Sequence, residues 1–410
     1  MESIISKIKP DRKERYKFRQ TANNFLTKLN PNLKDAQAIL GGSGAKDTWL
    51  AGNHDIDIFV LFDYKRYSEQ SDSISDILEK KLKKCFTNLN RLHGSRDYFQ
   101  LNFEGLIIEV IPILKINKSS KALNITDISP LHTKWVNKHT KSKKDQVRLA
   151  KQFCKANNLY GAESHITGFS GYVLEILTAH YGSFEKLLEN SLNWKSKTII
   201  DPEKYYPKNM ALFHINKSKL TSPLIVIDPV DKNRNAAAAL NLKKFNLFKK
   251  LAKQLLKNPQ EKYFIKKNLE LEELKKEAKK KKLSLVYLEV SPLTGKNDVV
   301  GVKLMKTFDY LELKLSPFTV KKAHWDWHEM YFFLASDELP KHTLREGPPL
   351  EMKEYVKYFK KKNKNNFTKN GKLYAKIRTK HPKLEKFLDN LLKNDYVKSR
   401  MKKVKKVIIE

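Results

Sequence analysis

Three carboxylates occupy positions that suggest a chemical role. Asp55 and Asp57 begin the apolar stretch DIDIFVLF, and because strand side chains alternate, these two acids share one face. Glu109 is the one charged residue within GLIIEVIPIL, where an unpaired buried carboxylate would cost several kcal/mol. If the two segments are neighbouring strands, the three acids meet and repel unless a cation joins them. Mg²⁺ accepts such hard oxygen ligands, and two ions about 3.5–4 Å apart can activate a hydroxyl and stabilise leaving pyrophosphate.

A glycine-rich turn, GGSG at residues 41–44, precedes the paired acids by about ten residues. The backbone N–H groups of Gly42, Ser43 and Gly44, with the Ser43 hydroxyl, can hold a triphosphate. Lys46 adds positive charge. Alone, such a turn is more often an ordinary connection, and an Asp-x-Asp pair can simply face solvent. At this spacing, and with a third acid downstream, the features together favour a nucleotidyltransferase.

The composition favours a polyanionic partner. The 410 residues include 81 Lys and Arg against 45 Asp and Glu, a formal net charge of +36. Neutralised phosphates release counterions, so this excess favours nucleic acid over a surface that is basic only for solubility. Hydrophobic residues make up 40%, and the length allows two or three domains, each with its own core.

The cysteines and the N-terminus indicate a soluble cytoplasmic protein. Cys85 and Cys154 are the only cysteines and have neither metal-ligand spacing nor a disulfide framework. The N-terminal segment lacks the apolar region of a signal peptide, and no stretch approaches the roughly 18 apolar residues of a membrane span. We therefore expect no membrane partner.

Hydrophobic periodicity predicts a small α+β domain over residues 1–135 and a helical domain over 136–255. In the first domain we expect a helix over 3–29, and then a strand end, a turn and a helix start within AILGGSGAKDTWL. A strand at DIDIFVLF follows, then a helix over 72–90 and a hairpin that turns near Glu104–Gly105. In the second, a short strand at PLIVID precedes a turn and a long helix. That pattern places Arg234 in the first turn of the helix.

Residues 256–410 are predicted to bind RNA. A lysine run from Lys275 to Lys282 precedes three expected strands, LSLVYLEVSP, DYLELKLSP and HEMYFFLASDELP. The basic and aromatic candidates for phosphate contact and base stacking are Lys303, Lys306, Lys314, Lys321, Lys322, Trp325, Trp327 and Tyr331. The alternatives are a solvated lysine face and a packed sheet whose aromatic side chains are core.

The stretch GSGAKDTWLAGNHDIDIFVLF resembles the signature GS-x-A-[RK]-x-TWL-x-G-x-x-DID of archaeal-type, class I CCA-adding enzymes, which are tRNA nucleotidyltransferases. SPLHTKWV, QVRLAKQFCKANNLYGAESHITGFSGYVLEIL, DPVDKNRNAAAAL and REGPPL are similar to further family blocks in the family's order, over about residues 38–350. The resemblance implies a multidomain α+β chain. Its parts would be a polymerase-β-like nucleotidyltransferase palm with a mixed sheet, a helical central domain and an α/β C-terminal RNA-binding region.

The resemblance also implies the site residues. Asp55, Asp57 and Glu109 match the catalytic acids that bind metal, although the family commonly has Asp at the last position. The positions that match the nucleotide site are Ser43, Gly44, Lys46, His132, Lys151, Tyr160 and Arg234. Arg234 matches an arginine associated with recognition of the incoming base. Arg is frequent at the position of Lys46, so the phosphate contact here would be a point charge.

The activity implied is template-independent addition of the 3′-terminal C, C and A to tRNA from CTP and ATP, with release of pyrophosphate and two Mg²⁺ ions as cofactors. The partners would be the tRNA acceptor end and the two nucleotides. The oligomeric state is open, and a homodimer is one option. One alternative is another polymerase of the same superfamily, such as a poly(A) polymerase or an oligoadenylate synthetase. The other is an inactive RNA-binding protein that has kept the fold, against which the three acids and the GGSG turn argue.

Overall fold

The computed structural model describes residues 1–52, 55–207, 210–266 and 270–410. The chain forms two compact units, Met1–Lys267 and Asn268–Glu410. Each unit has its own hydrophobic core. The predicted α+β class is confirmed, whereas the proposed three-domain division stays a prediction. Within the described residues, no helix has both the length and the apolar content needed to cross a bilayer.

The chain begins with two helices, α1 (Glu2–Ile8) and α2 (Arg12–Leu29), so the prediction of one helix over 3–29 is wrong. Pro10 explains the break, because the residue before a proline is pushed out of the helical region, and Lys9 is extended at φ −82° and ψ 126°. Asp11 then caps α2 in a capping box with Glu14.

A five-stranded mixed sheet follows, in the order β1-β2-β5-β4-β3. Its strands are β1 (Ala36–Leu40), β2 (Ile56–Phe62), β3 (Asn90–Leu92), β4 (Tyr98–Phe103) and β5 (Leu106–Leu114), and its helices are α3 (Gly42–Lys46), α4 (Tyr64–Tyr67) and α5 (Ile74–Cys85). Strand β2 is parallel to β5, and the other pairs are antiparallel. The predicted hairpin at Glu104–Gly105 is confirmed, and the helix predicted to follow the GGSG turn begins within it, at Gly42.

The rest of the first unit is mainly helical. Its elements are α6 (Ser129–His139), α7 (Lys144–Ala156), α8 (Gly171–Tyr181), α9 (Phe184–Leu192), β6 (Thr198–Ile200), α10 (Ala211–His214), β7 (Leu224–Asp228), β8 (Asp231–Asn235) and α11 (Leu242–Lys257). Arg234 lies on β8, so its predicted place in a helix is wrong: the segment pairs antiparallel with β7. The helix begins later, where the Asn241 side chain caps it by accepting from the Lys244 N–H.

The second unit contains two antiparallel sheets, ordered β10-β11-β9-β15 and β12-β14-β13. Its elements are α12 (Leu271–Lys281), β9 (Ser284–Ser291), α13 (Asn297–Leu315), β10 (Val320–Trp325), β11 (Glu329–Leu334), β12 (His342–Glu346), α14 (Lys353–Lys362), β13 (Asn366–Lys369), β14 (Lys372–Arg378), α15 (Leu384–Leu392), α16 (Asp395–Lys398) and β15 (Lys403–Ile409).

The predicted strand DYLELKLSP is wrong, because most of this segment ends helix α13. Leu304, Leu311 and Leu315 recur at helical spacing and are buried, so the helical period overrides the local alternation. Consequently Lys303, Lys306 and Lys314 lie on a helix, while Lys321 and Lys322 lie on β10. Tyr331 is buried in the core, as the packed-sheet alternative required, and Trp325 and Trp327 are partly buried against the core.

Candidate active site

The two buried strands β2 and β5 bring Asp57 and Glu109 together. Their register pairs Asp57 directly with Glu109, so the two carboxylates belong to neighbouring positions on parallel strands. Asp55 is exposed and precedes β2 by one residue. Burial raises the pKa of Asp57 to about 6; the charge of Lys46 opposes this shift and the charge of Asp55 adds to it. Burial and the charge of Asp57 raise the pKa of Glu109, against a 3.1 Å hydrogen bond from Gln100 Nε2. This edge of the sheet therefore holds more negative charge than its neighbours neutralise.

The GGSG turn lies directly against Asp57. The Gly41 N–H donates to the Asp57 backbone carbonyl at 2.7 Å, and the Ser43 N–H donates to the Asp57 carboxylate. Gly42 has φ +52°, and a Cβ there would lie 1.7 Å from Asp57 Oδ2. Only glycine satisfies both the backbone conformation and the close approach. Because the Ser43 N–H is used by Asp57, the Ser43 hydroxyl and the N–H groups of Gly42 and Gly44 are the remaining candidate phosphate donors of the turn.

The donor chemistry of the acids fits a magnesium ion. Among the described residues, no three His, Cys, Asp or Glu side chains are arranged so that they could hold a metal ion. Asp57 and Glu109 nevertheless supply two hard oxygen ligands from one sheet edge, and both have a raised pKa that a cation would reverse. Mg²⁺ is usually held by one or two carboxylates, with waters and substrate phosphates completing its coordination. The pair fits such an ion, and exposed Asp55 is the candidate for a third ligand.

A fully buried acid, Glu175 on α8, binds both lysines predicted for the nucleotide site. Lys46 Nζ lies 2.9 Å from Glu175 Oε2, and Lys151 Nζ lies 2.8 Å from Glu175 Oε1. Thr48 Oγ1 donates to Glu175 at 2.6 Å and accepts from Lys151 at 2.9 Å. Burial alone would raise the pKa of Glu175, but the two lysines lower it to about 2. The carboxylate therefore stays charged and fixes both ammonium groups.

Tyr160 lies beside this cluster. A Cβ at Gly171, the first residue of α8, would come within 2.7 Å of the Tyr160 hydroxyl and 3.4 Å of Lys151 Cε. Lys155 lies 5.2 Å from the centre of the Tyr160 ring. Burial raises the pKa of Tyr160, so its hydroxyl stays protonated. Lys46, Lys151 and Tyr160 are therefore brought together, and their part in a nucleotide site stays a prediction.

A second buried acid, Asp228 at the end of β7, binds the other two predicted residues. His132 Nε2 lies 3.1 Å from Asp228 Oδ2, and Arg234 Nη1 donates to the same oxygen at 2.5 Å. The Tyr172 hydroxyl and the Val230 N–H donate to Oδ1 at 2.9 and 3.0 Å. Burial opposes ionisation, yet these donors lower the pKa of Asp228 to about 2.

The two acid clusters are joined through Tyr172. Its ring stacks on His132 with centroids 4.0 Å apart, and Lys46 Nζ lies 5.4 Å from its centre. Burial lowers the pKa of His132 despite its contact with Asp228, so the imidazole is neutral at pH 7. The residues implied for base recognition and for phosphate binding therefore belong to one connected group in the first unit.

Sequence reasoning missed Glu175, Thr48 and Tyr172, and treated Asp228 only as a residue beside a turn. A signal for two of these was present. Glu175 is the one acid in the apolar helix GYVLEILTAHY, and Asp228 ends the buried strand LIVID. This is the same criterion that identified Glu109, a lone carboxylate where burial demands a partner. Nothing comparable marks Thr48, because a hydroxyl is common both in cores and on surfaces.

Two family models match the first unit. A nucleotidyltransferase domain covers residues 20–132, and the second domain of tRNA nucleotidyltransferase covers residues 145–265. The CCA-adding enzyme of Nanoarchaeum equitans is 36% identical over 92% of this chain and 96% of its own length. That of Methanocaldococcus jannaschii is 32% identical, over 92% and 86% respectively.

Solved structures agree with the fold. A crystal structure of a mutant form of the Cid1 poly(U) polymerase, bound to MgATP, has a TM-score of 0.51 at 14% identity. The match covers 65% of this chain and 97% of that one. At this identity the likeness supports the nucleotidyltransferase fold alone. Together with the identity to the archaeal enzymes over nearly the whole chain, these findings show that the chain belongs to the family of CCA-adding enzymes, the tRNA nucleotidyltransferases.

Proposed function

We propose that this chain adds C, C and A in turn to the 3′ end of tRNA, using CTP and ATP and no nucleic-acid template. The observation that carries the proposal is the pairing of Asp57 with Glu109 on adjacent strands, with the GGSG turn against the Asp57 carboxylate. In each cycle the 3′ hydroxyl oxygen bonds to the α-phosphorus. The bond from that phosphorus to the oxygen that bridges it to the β-phosphorus breaks, pyrophosphate leaves with that electron pair, and the hydroxyl proton passes to water.

Asp57 and Glu109 would hold the metal, which we propose to be two Mg²⁺ ions, and Asp55 would have to approach this pair to serve as a third ligand. When bound, Mg²⁺ lowers the pKa of the attacking hydroxyl and neutralises charge that develops on the leaving pyrophosphate. The three acids hold no proton for the substrate in this scheme. Their role is to remain ionised and to fix the cations beside the GGSG turn. The longer Glu109 side chain, where the family commonly has Asp, alters the reach of one ligand.

The triphosphate would bind between the GGSG turn and the two lysines. The Ser43 hydroxyl and the Gly44 N–H offer donors from one side. Lys46 and Lys151 offer positive charge from the other, held by Glu175 at 2.9 and 2.8 Å. Since an ammonium fixed by a buried partner does not lose conformational freedom when substrate arrives, Glu175 would act as a positioning residue. Tyr160, beside Lys151, would form a wall of the same site.

Base selection would depend on Arg234. Its guanidinium is held at Nη1 by Asp228, and its side chain is 30% exposed, so other N–H groups can face a base. Cytosine presents acceptors at O2 and N3, and adenine presents one at N1. Uracil and guanine carry an N–H at the equivalent ring nitrogen, which would oppose Arg234 donor to donor. Neutral His132 and Tyr172 would keep Asp228, and hence the guanidinium, in one place.

The test is incubation of the full-length protein with tRNA that ends at the discriminator base, Mg²⁺ and all four nucleoside triphosphates, followed by sequencing of the products. We expect addition of C, C and A and then arrest. A continuing run of A or U would indicate another polymerase of the superfamily. No incorporation at all, with intact tRNA binding, would instead favour an inactive RNA-binding protein.

A further inference from the structure

A cavity of about 780 Å³ lies in the first unit and is lined by none of the candidate site residues. Three segments and one helix face form it: the loop 117–120, the pair Glu203 and Tyr205, residues 230–233 at the start of β8, and the face of α6 that carries Leu131, Lys134, Trp135 and Lys138. The spacing of these four residues, i, i+3, i+4 and i+7, shows that one side of α6 faces the cavity. Its volume lies in the range of sites that bind small organic ligands.

The cavity is lined by four exposed lysines, on three different elements: Lys118, Lys134, Lys138 and Lys232. In the part of the chain that the structure describes, none of the four forms an ion pair. The two acids of the lining already have partners. Glu203 accepts from Trp135 Nε1 at 2.6 Å and lies 3.8 Å from His139, and Asp231 accepts from the Asn233 N–H at 3.2 Å. The positive charge is therefore available to a ligand.

The same cavity presents flat and apolar surfaces. Trp135 stacks with His139 at 4.3 Å between ring centroids, and Leu131 adds an aliphatic face. Tyr205 is 42% exposed, and its hydroxyl donates to the Pro229 carbonyl at 2.7 Å, which fixes the ring. Lysines that contact phosphates beside surfaces that contact bases are the features with which proteins bind single-stranded nucleic acid.

The cavity shares two elements with the candidate active site. Trp135 lies three residues after His132 on α6, a rise of about 4.5 Å along the helix axis. On β8, Asn233 lines the cavity and the next residue is Arg234. A strand bound in the cavity would therefore lie next to the residues proposed to select the incoming nucleotide.

We propose that this cavity binds nucleotides of the RNA strand whose 3′ end is extended, with its lysines on the sugar–phosphate backbone. The proposal rests on the proposed function, which supplies tRNA as the substrate. An RNA strand fits better than a free nucleoside triphosphate for two reasons. The four lysines are distributed over the loop 117–120, helix α6 and strand β8, so an extended ligand could place several phosphates beside them. The residues proposed to hold the triphosphate, Ser43, Lys46 and Lys151, do not line this cavity, so a free nucleoside triphosphate has its own site elsewhere in the first unit.

The experiment compares two double charge reversals in the full-length protein. Lys134→Glu/Lys138→Glu changes the cavity, and Lys80→Glu/Lys84→Glu changes two exposed lysines at the same i, i+4 spacing on α5, outside the cavity. We measure tRNA Kd as a function of salt and the KM for CTP at saturating tRNA. For the cavity variant we expect tRNA Kd to rise about tenfold or more at low salt. The log–log salt slope should fall by about 1.4, since each single-strand phosphate contact contributes about 0.7.

The CTP KM and the α5 variant should stay within about twofold of wild type. Equal weakening of tRNA binding by both variants would overturn the proposal, because the lysines would then attract tRNA through the net charge of the protein and not through contacts in the cavity. An unchanged tRNA Kd with a raised CTP KM would overturn it in favour of a free nucleotide. If the α6 variant does not fold, Lys118→Glu/Lys232→Glu changes two other lysines of the cavity and should raise the tRNA Kd in the same way. A wild-type protein that adds no CCA would refute the proposed function separately, since these Kd values do not depend on catalysis.

Discussion

The first unit contains two pairs of acids with opposite electrostatic surroundings. Asp57 and Glu109 face each other across β2 and β5, and both have a raised pKa. Glu175 and Asp228 are more deeply buried, yet both have a pKa lowered to about 2. Burial raises the pKa of all four, so burial cannot be what distinguishes the pairs.

The difference lies in the cations and donors that each acid has. Glu175 contacts two ammonium groups and a hydroxyl, and Asp228 accepts from Arg234, His132, Tyr172 and a backbone N–H. Asp57 accepts from the Ser43 N–H and is near Lys46, and Glu109 accepts from Gln100, but for both acids burial and the neighbouring carboxylates outweigh these contacts. One pair is thus satisfied by the protein and fixes other side chains. The other pair has ligand capacity left for cations that arrive with the substrate.

The largest effect should come from removing charge at the unsatisfied pair. We expect Asp57→Asn to lower nucleotide incorporation by about 10³-fold, the size seen when a preorganised electrostatic group is lost, because the acid acts through metal. The Kd for tRNA should stay within about twofold. Single-turnover incorporation of CTP and a tRNA binding titration measure the two quantities.

Two controls sharpen this result. Asp63→Asn changes an exposed acid just beyond the other end of β2, where Asn can serve equally as a helix cap, and should keep full activity. Glu109→Asp keeps the charge and should retain substantial incorporation, whereas Glu109→Gln should resemble Asp57→Asn. Incorporation by Asp57→Asn within a few-fold of wild type would remove the acids from the mechanism and erase the contrast between the pairs.

A loss of charge at the satisfied pair should act on stability first. Glu175→Gln leaves Lys46 and Lys151 without their buried partner, and we expect a loss of about 3–5 kcal/mol in the free energy of unfolding. The exposed Glu189→Gln on α9 is the matched control and should change it by less than about 0.5 kcal/mol. Urea unfolding at pH 7 measures both.

The stabilisation that Glu175 provides should depend on pH. The pKa of Glu175 in the folded protein, about 2, lies below its ordinary value of 4.5. Its ionised form therefore stabilises the fold above pH 4.5, and this contribution is lost as the pH falls from there toward 2. The difference in unfolding free energy between wild type and Glu175→Gln should be constant above about pH 5 and shrink below it. A constant difference down to pH 3 would contradict the assignment of an ionised Glu175.

The smallest effect concerns selectivity. We expect Arg234→Ala to reduce the preference for CTP over UTP by about 10- to 100-fold, since an opposed donor pair in a desolvated site costs about 1–3 kcal/mol. Asp228→Asn should move the ratio in the same direction by releasing the guanidinium. The measurement is kcat/KM for all four nucleotides, with exposed Arg19→Ala on α2 as control. Equal loss for every nucleotide would make Arg234 a general binding residue.

Sequence patterns predicted much of the fold of the first unit, and the family resemblance supplied most of the candidate site residues, whose roles stay predictions. The GGSG turn, strand β2 and the β4–β5 hairpin follow from local turn chemistry and apolar runs, which are encoded within a few residues. The adjacency of Asp57 and Glu109 needed only the assumption that two buried strands pair. Errors arose where tertiary context decides. Arg234 lies in a strand because its segment pairs with β7. The segment DYLELKLSP is helical because the residues that α13 buries in the core recur at helical spacing, and the local alternation does not show which residues are buried.

The partners of Lys46 and Arg234 were beyond a linear reading for a different reason. Lys46 on α3 and Glu175 on α8, 129 positions apart in the sequence, meet only in the folded unit. No local periodicity encodes such a contact. The useful sequence signal was the anomaly itself, a lone charge in an apolar helix, which shows that a partner is required without identifying it.

The buried contact of Lys46 and Thr48 with Lys151 and Glu175 has a consequence for chimeric enzymes. The first two residues lie in the nucleotidyltransferase domain, at 20–132, and the other two in the second domain, at 145–265. A hybrid that takes its first domain from this chain must receive a second domain with an acid at the matching helix position. Otherwise the ammonium groups of Lys46 and of the lysine that corresponds to Lys151 would be buried without the carboxylate that neutralises them. The two domains can therefore be exchanged one at a time only when the incoming second domain supplies this carboxylate, and otherwise they have to be exchanged together.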